Sequence, residues 1–200
     1  MGRNSSKNEE MKNSTKSKII DGSILFFAKY GYLGTKIGDL AKFIGISQGL
    51  LYRYFSSKEA LFEEITTNWN NQRDKDYDSL VQAPLSPDEK IRTLTKHLEE
   101  GINKDHQLAC FFTIQENRCL ITGLDEVFQN WSAPPIRMLS DIILEGQKEG
   151  VCYSGNPLQM AVSYWGLFSA ICRDYISTNG DISNYDFNML NRLLLKEEGK

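Results

Sequence analysis

This 200-residue chain has only two histidines and four cysteines. Cys110, Cys119, Cys152 and Cys172 stand 9, 33 and 20 residues apart, with no CxxC pair. That excludes the usual zinc spacing and supplies no disulfide framework. They are read as reduced, buried thiols, with a redox-sensing pair as the alternative. His97 and His106 have no matching carboxylate cluster, so no metal site is expected. No apolar run reaches the length of about 18 residues that suggests a membrane span. The opening stretch, MGRNSSKNEEMKNSTKSK, lacks the apolar core of a secretory signal. Catalytic furniture is missing as well. There is no nucleophile–base pair and no phosphate-binding glycine loop, so no enzyme and no cofactor are expected. Alternating strand patterns are few, which points to an all-α fold.

What is present is asymmetric charge. The chain carries 23 Lys/Arg and 26 Asp/Glu, a net of −3. Residues 1–60 hold ten basic and five acidic side chains, net +5, so the remaining 13 basic and 21 acidic residues give −8. A basic head on an acidic body suits phosphate binding confined to one end.

Within the head, residues 35–61 read TKIGDLAKFIGISQGLLYRYFSSKEAL. Thr35 is placed to cap a first short helix, with Ile37, Leu40 and Ala41 on one face. Gly45 stands where a left-handed residue would close it. Ser47 caps a second helix whose inward residues are Leu51 and Phe55. Two helices joined by a tight, Gly-containing turn form the helix-turn-helix, whose second helix enters the major groove. Upstream, Ile20, Ile24 and Phe27 mark an amphipathic helix ended by Gly31. Downstream, Ser56 and Glu59 fit a capping box that opens a helix through Leu61, Phe62 and Ile65.

This ordered set, from Ile19 to Leu61, resembles the DNA-binding domain of the tetracycline-repressor (TetR) family of bacterial regulators. The matching pieces are Phe27-Ala28, Gly31-Tyr32, Thr35, Ile37, Leu40-Ala41, Gly45-Ile46-Ser47, Gly49, Leu51-Tyr52, Tyr54-Phe55 and Ser57-Lys58-Glu59-Ala60-Leu61. The resemblance implies an N-terminal three-helix DNA-binding domain and a C-terminal helical domain for effector binding and dimerisation. The expected organisation is a mobile arm over 1–13, a DNA-binding domain over 14–73 with its helix-turn-helix near 36–55, and an effector and dimerisation domain over 74–200. The expected location is the bacterial cytoplasm.

The recognition helix is expected to span Ser47 to Tyr54. Gln48 can read adenine through its amide, and Arg53 can reach guanine or phosphate. Gly49 permits close approach to the groove. Tyr52 and Tyr54 offer hydroxyls to phosphates and ring faces to thymine methyls. Thr35, Lys36 and Lys58 lie at helix starts, where backbone N–H groups bind phosphate. The resemblance carries DNA contact to Thr35, Lys36, Gln48, Gly49, Tyr52, Tyr54 and Lys58. Leu50 departs from the polar residue expected at a groove-facing position.

The rest of the chain matches no further family pattern. Helices are expected over about 57–80, from Ser86-Pro87 through Ile102, over 105–120, around 124–131, over 136–148, over 157–177 and near 185–196, with breaks at the prolines. The helix after Asn156-Pro157 is apolar most of the way round, with Leu158, Val162, Trp165, Ser169 and Cys172 on one stripe and Ala161, Tyr164, Phe168 and Ile171 beside it. Such a helix needs partners on both sides. Gly166, Ser169 and Ala170, with Leu190 and Leu194 of the last helix, are therefore expected in a homodimer interface. Phe111, Phe112, Gln115, Trp131, Tyr164, Trp165 and Phe168 are expected to line an effector cavity, although an aromatic stripe at helical spacing also suits plain core. The function implied is a ligand-responsive homodimeric repressor on a palindromic DNA operator, released by a small molecule. The alternative is a DNA-binding architectural protein that recruits a partner and senses no effector.

Overall fold

The structure, a computed structural model, describes residues 2–104, 106–122, 134–178, 180–181 and 185–197; of residues 2–9 and 115–122 it describes the backbone. In chain order the described helices are α1 (Gly2–Tyr30), α2 (Ile37–Ile44), α3 (Gln48–Tyr54), α4 (Lys58–Gln82), α5 (Pro87–Lys104), α6 (Gln107–Thr122), α7 (Pro134–Lys148), α8 (Pro157–Ser177) and α9 (Asn188–Arg192). The chain divides into two compact units, Met1–Asn70 and Asn71–Lys200. None of the described helices is long and apolar enough to cross a membrane.

The first unit packs α2, α3 and the start of α4 around α1. Residues 1–13, expected as a separate arm, are drawn into α1 from Gly2 onward. Neither glycine nor proline interrupts residues 3–21, so nothing in the backbone stops the helix. The buried stripe is Ile19, Ser23, Ile24 and Phe27, one position off the expected Ile20, which is only half-buried. Ser23 tolerates burial because its hydroxyl donates to the Ile19 carbonyl at 2.6 Å. Gly22 lets α2 approach closely, since a Cβ there would stand 2.7 Å from Ile44 Cγ1. Leu40, Ala41 and Ile44 of α2 and Leu51 of α3 complete the core with Phe55, Leu61, Phe62 and Ile65.

The second unit is built on α8, which packs most extensively on α7 and α6. Ala161, Tyr164, Phe168, Ile171 and Cys172 are each at most 1 % exposed. Leu139 and Ile143 meet them from α7, and Ile91, Leu98 and Ile102 join the same core from α5. Burying each such side chain contributes about 1.5–3 kcal/mol. Helix starts follow the sequence signals. Ser86 precedes Pro87 at N1, and Glu89 accepts the Ser86 backbone N–H at 2.8 Å. Asn156 accepts the Gln159 N–H at 3.1 Å. The expected helix around 124–131 lies outside the described residues.

The last helix is much shorter than expected. It spans Asn188–Arg192 rather than 185–196. The chain then leaves the helix because Leu194 and Leu195 are both buried while their backbone pairs with a different segment. Leu195 bridges Cys152 antiparallel, Tyr153 N–H donates to Leu194 O at 2.9 Å, and Lys196 N–H donates to Val151 O at 2.9 Å. Burial lifts the Cys152 thiol to about 11. Cys110 and Cys172 are likewise buried thiols.

Three polar groups are placed inside this core. Thr95 Oγ1 lies 2.8 Å from the Tyr164 hydroxyl and donates to Asn191 Oδ1 at 2.6 Å, tying α5 to α8 and α9. Burial pushes the Tyr164 phenol up, so it stays protonated and can donate. Thr95→Val keeps the shape but strands both partners, and should destabilise the unit by about 1–3 kcal/mol in urea unfolding. Adding Tyr164→Phe should cost less than the sum of the two single changes. Full additivity would show that the two hydroxyls are not coupled.

Candidate nucleic-acid interface

α3 has seven residues and depends on its ends. Ser47, in extended conformation, accepts the Leu50 N–H on its side chain at 3.1 Å. Gly45 takes the left-handed conformation, φ +76°, that closes α2 and turns the chain into α3. Leu51 and Phe55 are buried. Anchoring that face leaves Gln48, Gly49, Tyr52 and Arg53 exposed, with Tyr54 half-buried. A Cβ on Gly49 would meet nothing within 4 Å, so the backbone there is open to close approach. Gln48 lies beside Gly38 of α2, its Oε1 at ordinary contact distance, 3.5 Å, from a Cβ placed there. Leu50 is half-buried, which explains why an apolar residue is tolerated on this helix.

Two expectations at the helix starts are corrected. Thr35 does not cap α2. It is 6 % exposed, and its hydroxyl donates back to Gly31 O at 2.6 Å. Lys36 holds the cap position without a side-chain hydrogen bond, and its side chain is exposed. At α4 the cap is Ser57, which accepts the Ala60 N–H at 3.1 Å, one residue later than the expected Ser56.

Lys58 also faces inward. Its ammonium donates to Tyr32 O at 3.0 Å and Thr35 O at 3.2 Å and lies 4.3 Å from the Tyr32 ring centroid. The Tyr32 hydroxyl donates to Glu59 Oε1 at 2.9 Å. The start of α4 thus grips the 31–36 loop from both sides. Burial, then the Glu59 bond, raise the Tyr32 phenol to about 12. The Glu59 carboxyl is held below its ordinary value, first by its own backbone N–H and then by Tyr32. The sign follows from that depression: the grip is complete above the ordinary carboxylate range and weakens as pH falls through it. Tyr32 and Glu59 were visible in sequence only as parts of the family pattern.

The remaining sequence candidates lie in the second unit. Phe112 stacks on Trp165 with centroids 5.6 Å apart and meets Phe168 edge-on at 4.8 Å. Tyr164 meets Trp165 edge-on at 5.5 Å, and the Trp165 indole donates to Pro135 O at 3.2 Å. Phe111 is buried at 2 % exposure. The Gln115 side chain and Trp131 lie outside the described residues. On α8, Gly166 is exposed, Ala170 half-buried and Ser169 buried. Leu190 and Leu194 are wholly buried in the core of their own subunit, so neither has surface to offer a partner. Among the described residues no cluster of His, Cys, Asp and Glu could hold a metal ion.

A short helix closed at both ends, pinned by two apolar residues and exposing an amide, a glycine, a phenol and a guanidinium, defines a helix-turn-helix DNA-binding regulator. Residues 19–65 match the family of bacterial regulatory proteins, tetR family. The chain is 28 % identical over 162 residues to the uncharacterized HTH-type transcriptional regulator YhgD of Bacillus subtilis, covering 80 % of this chain and 83 % of that one. It is 23 % identical over 138 residues to the HTH-type transcriptional repressor KstR2 of Mycobacterium tuberculosis, 69 % of each chain. The solved KstR2 structure superposes with a TM-score of 0.68 at 18 % identity, over 92 % of this chain and 97 % of that one. AibR, solved in complex with isovaleryl coenzyme A and operator DNA, superposes with a TM-score of 0.64 at 16 % identity, over 88 % and 94 %. Residues 19–65 thus carry a tetR-family DNA-binding domain.

Gln48 presents an exposed amide suited to a base edge. Gln48→Ala should weaken binding to the selected site by about 1–3 kcal/mol and relax preference at one position per half-site. A titration series against single-base operator variants measures this. Equal weakening on every sequence would make Gln48 a backbone contact.

Proposed function

We propose that this regulator is a homodimeric repressor that leaves a palindromic operator when a small molecule occupies its second unit. The observation that carries the DNA half is the exposed face of α3, where Gln48, Gly49, Tyr52 and Arg53 stand together while Leu51 and Phe55 are buried. Lys36 adds an exposed cation at the start of α2 for the phosphate backbone. Lys58 contributes indirectly, by fixing the loop that carries Thr35 and Lys36. The expected domain limits, 14–73 and 74–200, are retained as the working division.

The effector half rests on the aromatic cluster of Phe112, Tyr164, Trp165 and Phe168. Its members touch ring to ring, and Phe112 is the half-exposed one. An apolar or aromatic ligand enters by displacing Phe112 from Trp165. The ligand in the AibR complex, isovaleryl coenzyme A, makes acyl thioesters the first class to screen. The ligand acts only through a difference in affinity between DNA-competent and incompetent states.

A thermal-shift screen, followed by release of a fluorescent operator duplex, tests this reading. A compound that stabilises the protein and releases DNA supports it. A protein that binds its operator but answers to no acyl thioester or other apolar ligand is instead the partner-recruiting architectural type.

The dimer is assigned to the outward face of α8, at Gly166 and Ala170. Nothing lies within 4 Å of a Cβ placed on Gly166, so a larger side chain fits the single subunit. Gly166→Arg should therefore leave the helical circular-dichroism spectrum intact while analytical ultracentrifugation shows monomers. Dimers that persist in this variant and in Ala170→Arg place the interface on another surface.

A further inference from the structure

α1 begins well before the family match. The match starts at residue 19, whereas the helix starts at Gly2. The extra residues, 2–18, add about 25 Å of helix at 1.5 Å per residue. Residues 1–18 contain five Lys/Arg against two Asp/Glu.

This extension is anchored to the recognition helix's end. Lys16 pairs with Glu64 at 2.6 Å and lies 5.7 Å from the Phe55 ring centroid. Four residues earlier, on the same face of α1, stands Lys12. It borders a groove of about 500 Å³ lined by Met11, Lys12, Thr15, Arg53 and Tyr54. Among the described residues the lining holds two cations and two hydroxyls and no carboxylate. Among the described residues, neither Lys12 nor Arg53 has a carboxylate partner. Arg53 leans on the Tyr54 ring, 5.8 Å from its centroid, which orients the guanidinium while leaving its N–H groups available. The Thr15 hydroxyl is spent on Met11 O at 2.9 Å. Two uncompensated cations facing one open groove repel each other until an anion enters.

We propose that the N-terminal part of α1 is a second DNA-contacting element, with Lys12 and Arg53 holding one backbone phosphate in this groove. The anion is a DNA phosphodiester rather than a free metabolite because Arg53 belongs to α3 itself. A strand read by the exposed face of α3 passes the end of that helix. The inference rests on α3 being the recognition helix. It adds a contact that carries no base information but sets register and salt dependence.

The test uses the full chain and a duplex selected by it from a random pool. The slope of log affinity against log salt is measured for the wild type, Lys12→Gln and Lys12→Arg. Loss of one phosphate contact should lower the slope by about 1 per half-site in Lys12→Gln, equally for selected and unrelated sequences. Lys12→Arg should keep the wild-type slope. Ethylation of one phosphate per half-site should interfere with the wild type and not with Lys12→Gln. A wild-type slope in a folded Lys12→Gln protein overturns the proposal. So does Lys12-dependent stabilisation by inorganic phosphate alone with the DNA slope unchanged, which would assign the groove to a free anion. A wild-type protein that enriches no duplex removes the DNA reading and this contact together.

Discussion

The recognition helix cannot hold its own shape. Seven residues are far below the length at which an isolated helix persists in water, because nucleation costs more than so few hydrogen bonds return. α3 exists because Leu51 and Phe55 are buried in the core of the first unit and because Ser47 and Gly45 close the turn before it. Every exposed residue on it inherits its position from those four. The outer face is thereby left to vary: Gln48, Tyr52 and Arg53 can change without touching the core, whereas the inner pair cannot. Specificity and stability are separated onto opposite sides of two helical turns.

The same separation explains what was legible in the sequence. The turn was readable because Gly45 and Ser47 act locally, through their own φ and their own side chain. The α8 helix was readable for the same reason, from Asn156 and Pro157. The inward bonds of Lys58 were not legible because its acceptors, the carbonyls of Tyr32 and Thr35, lie 26 and 23 residues earlier. No spacing rule reaches that far. Thr35 was misread because a hydroxyl before a helix can bond forward or back, and here Gly31 O is nearer. The last helix was overextended because Leu190, Leu193 and Leu194 keep helical spacing. The periodicity could not show that the backbone of residues 194–196 is claimed by residues 151–153.

The core of the second unit shows a related division of labour. Its apolar residues were plain from their pattern, and their identity is interchangeable in kind if not in volume. The Thr95, Tyr164 and Asn191 contacts are not interchangeable. Each fixes one helix against another at a single distance, which an aliphatic contact does not do. Among the described residues no buried polar side-chain atom is left without a partner, so this group adds alignment without leaving an orphan.

The pairing of Cys152 with Leu195 also sets an order of events during synthesis. The first unit is closed entirely by residues up to Asn70, so it can fold while the rest of the chain is still being made. The second unit has no such freedom. Leu194 and Leu195 are part of its core, and their strand-like contacts reach back more than forty residues. Until they leave the ribosome, the face formed by Val151, Cys152 and Tyr153 has nothing to pair with. The DNA-binding head is thus finished first, and the unit proposed to control it is completed only once residues 194 and 195 have been made.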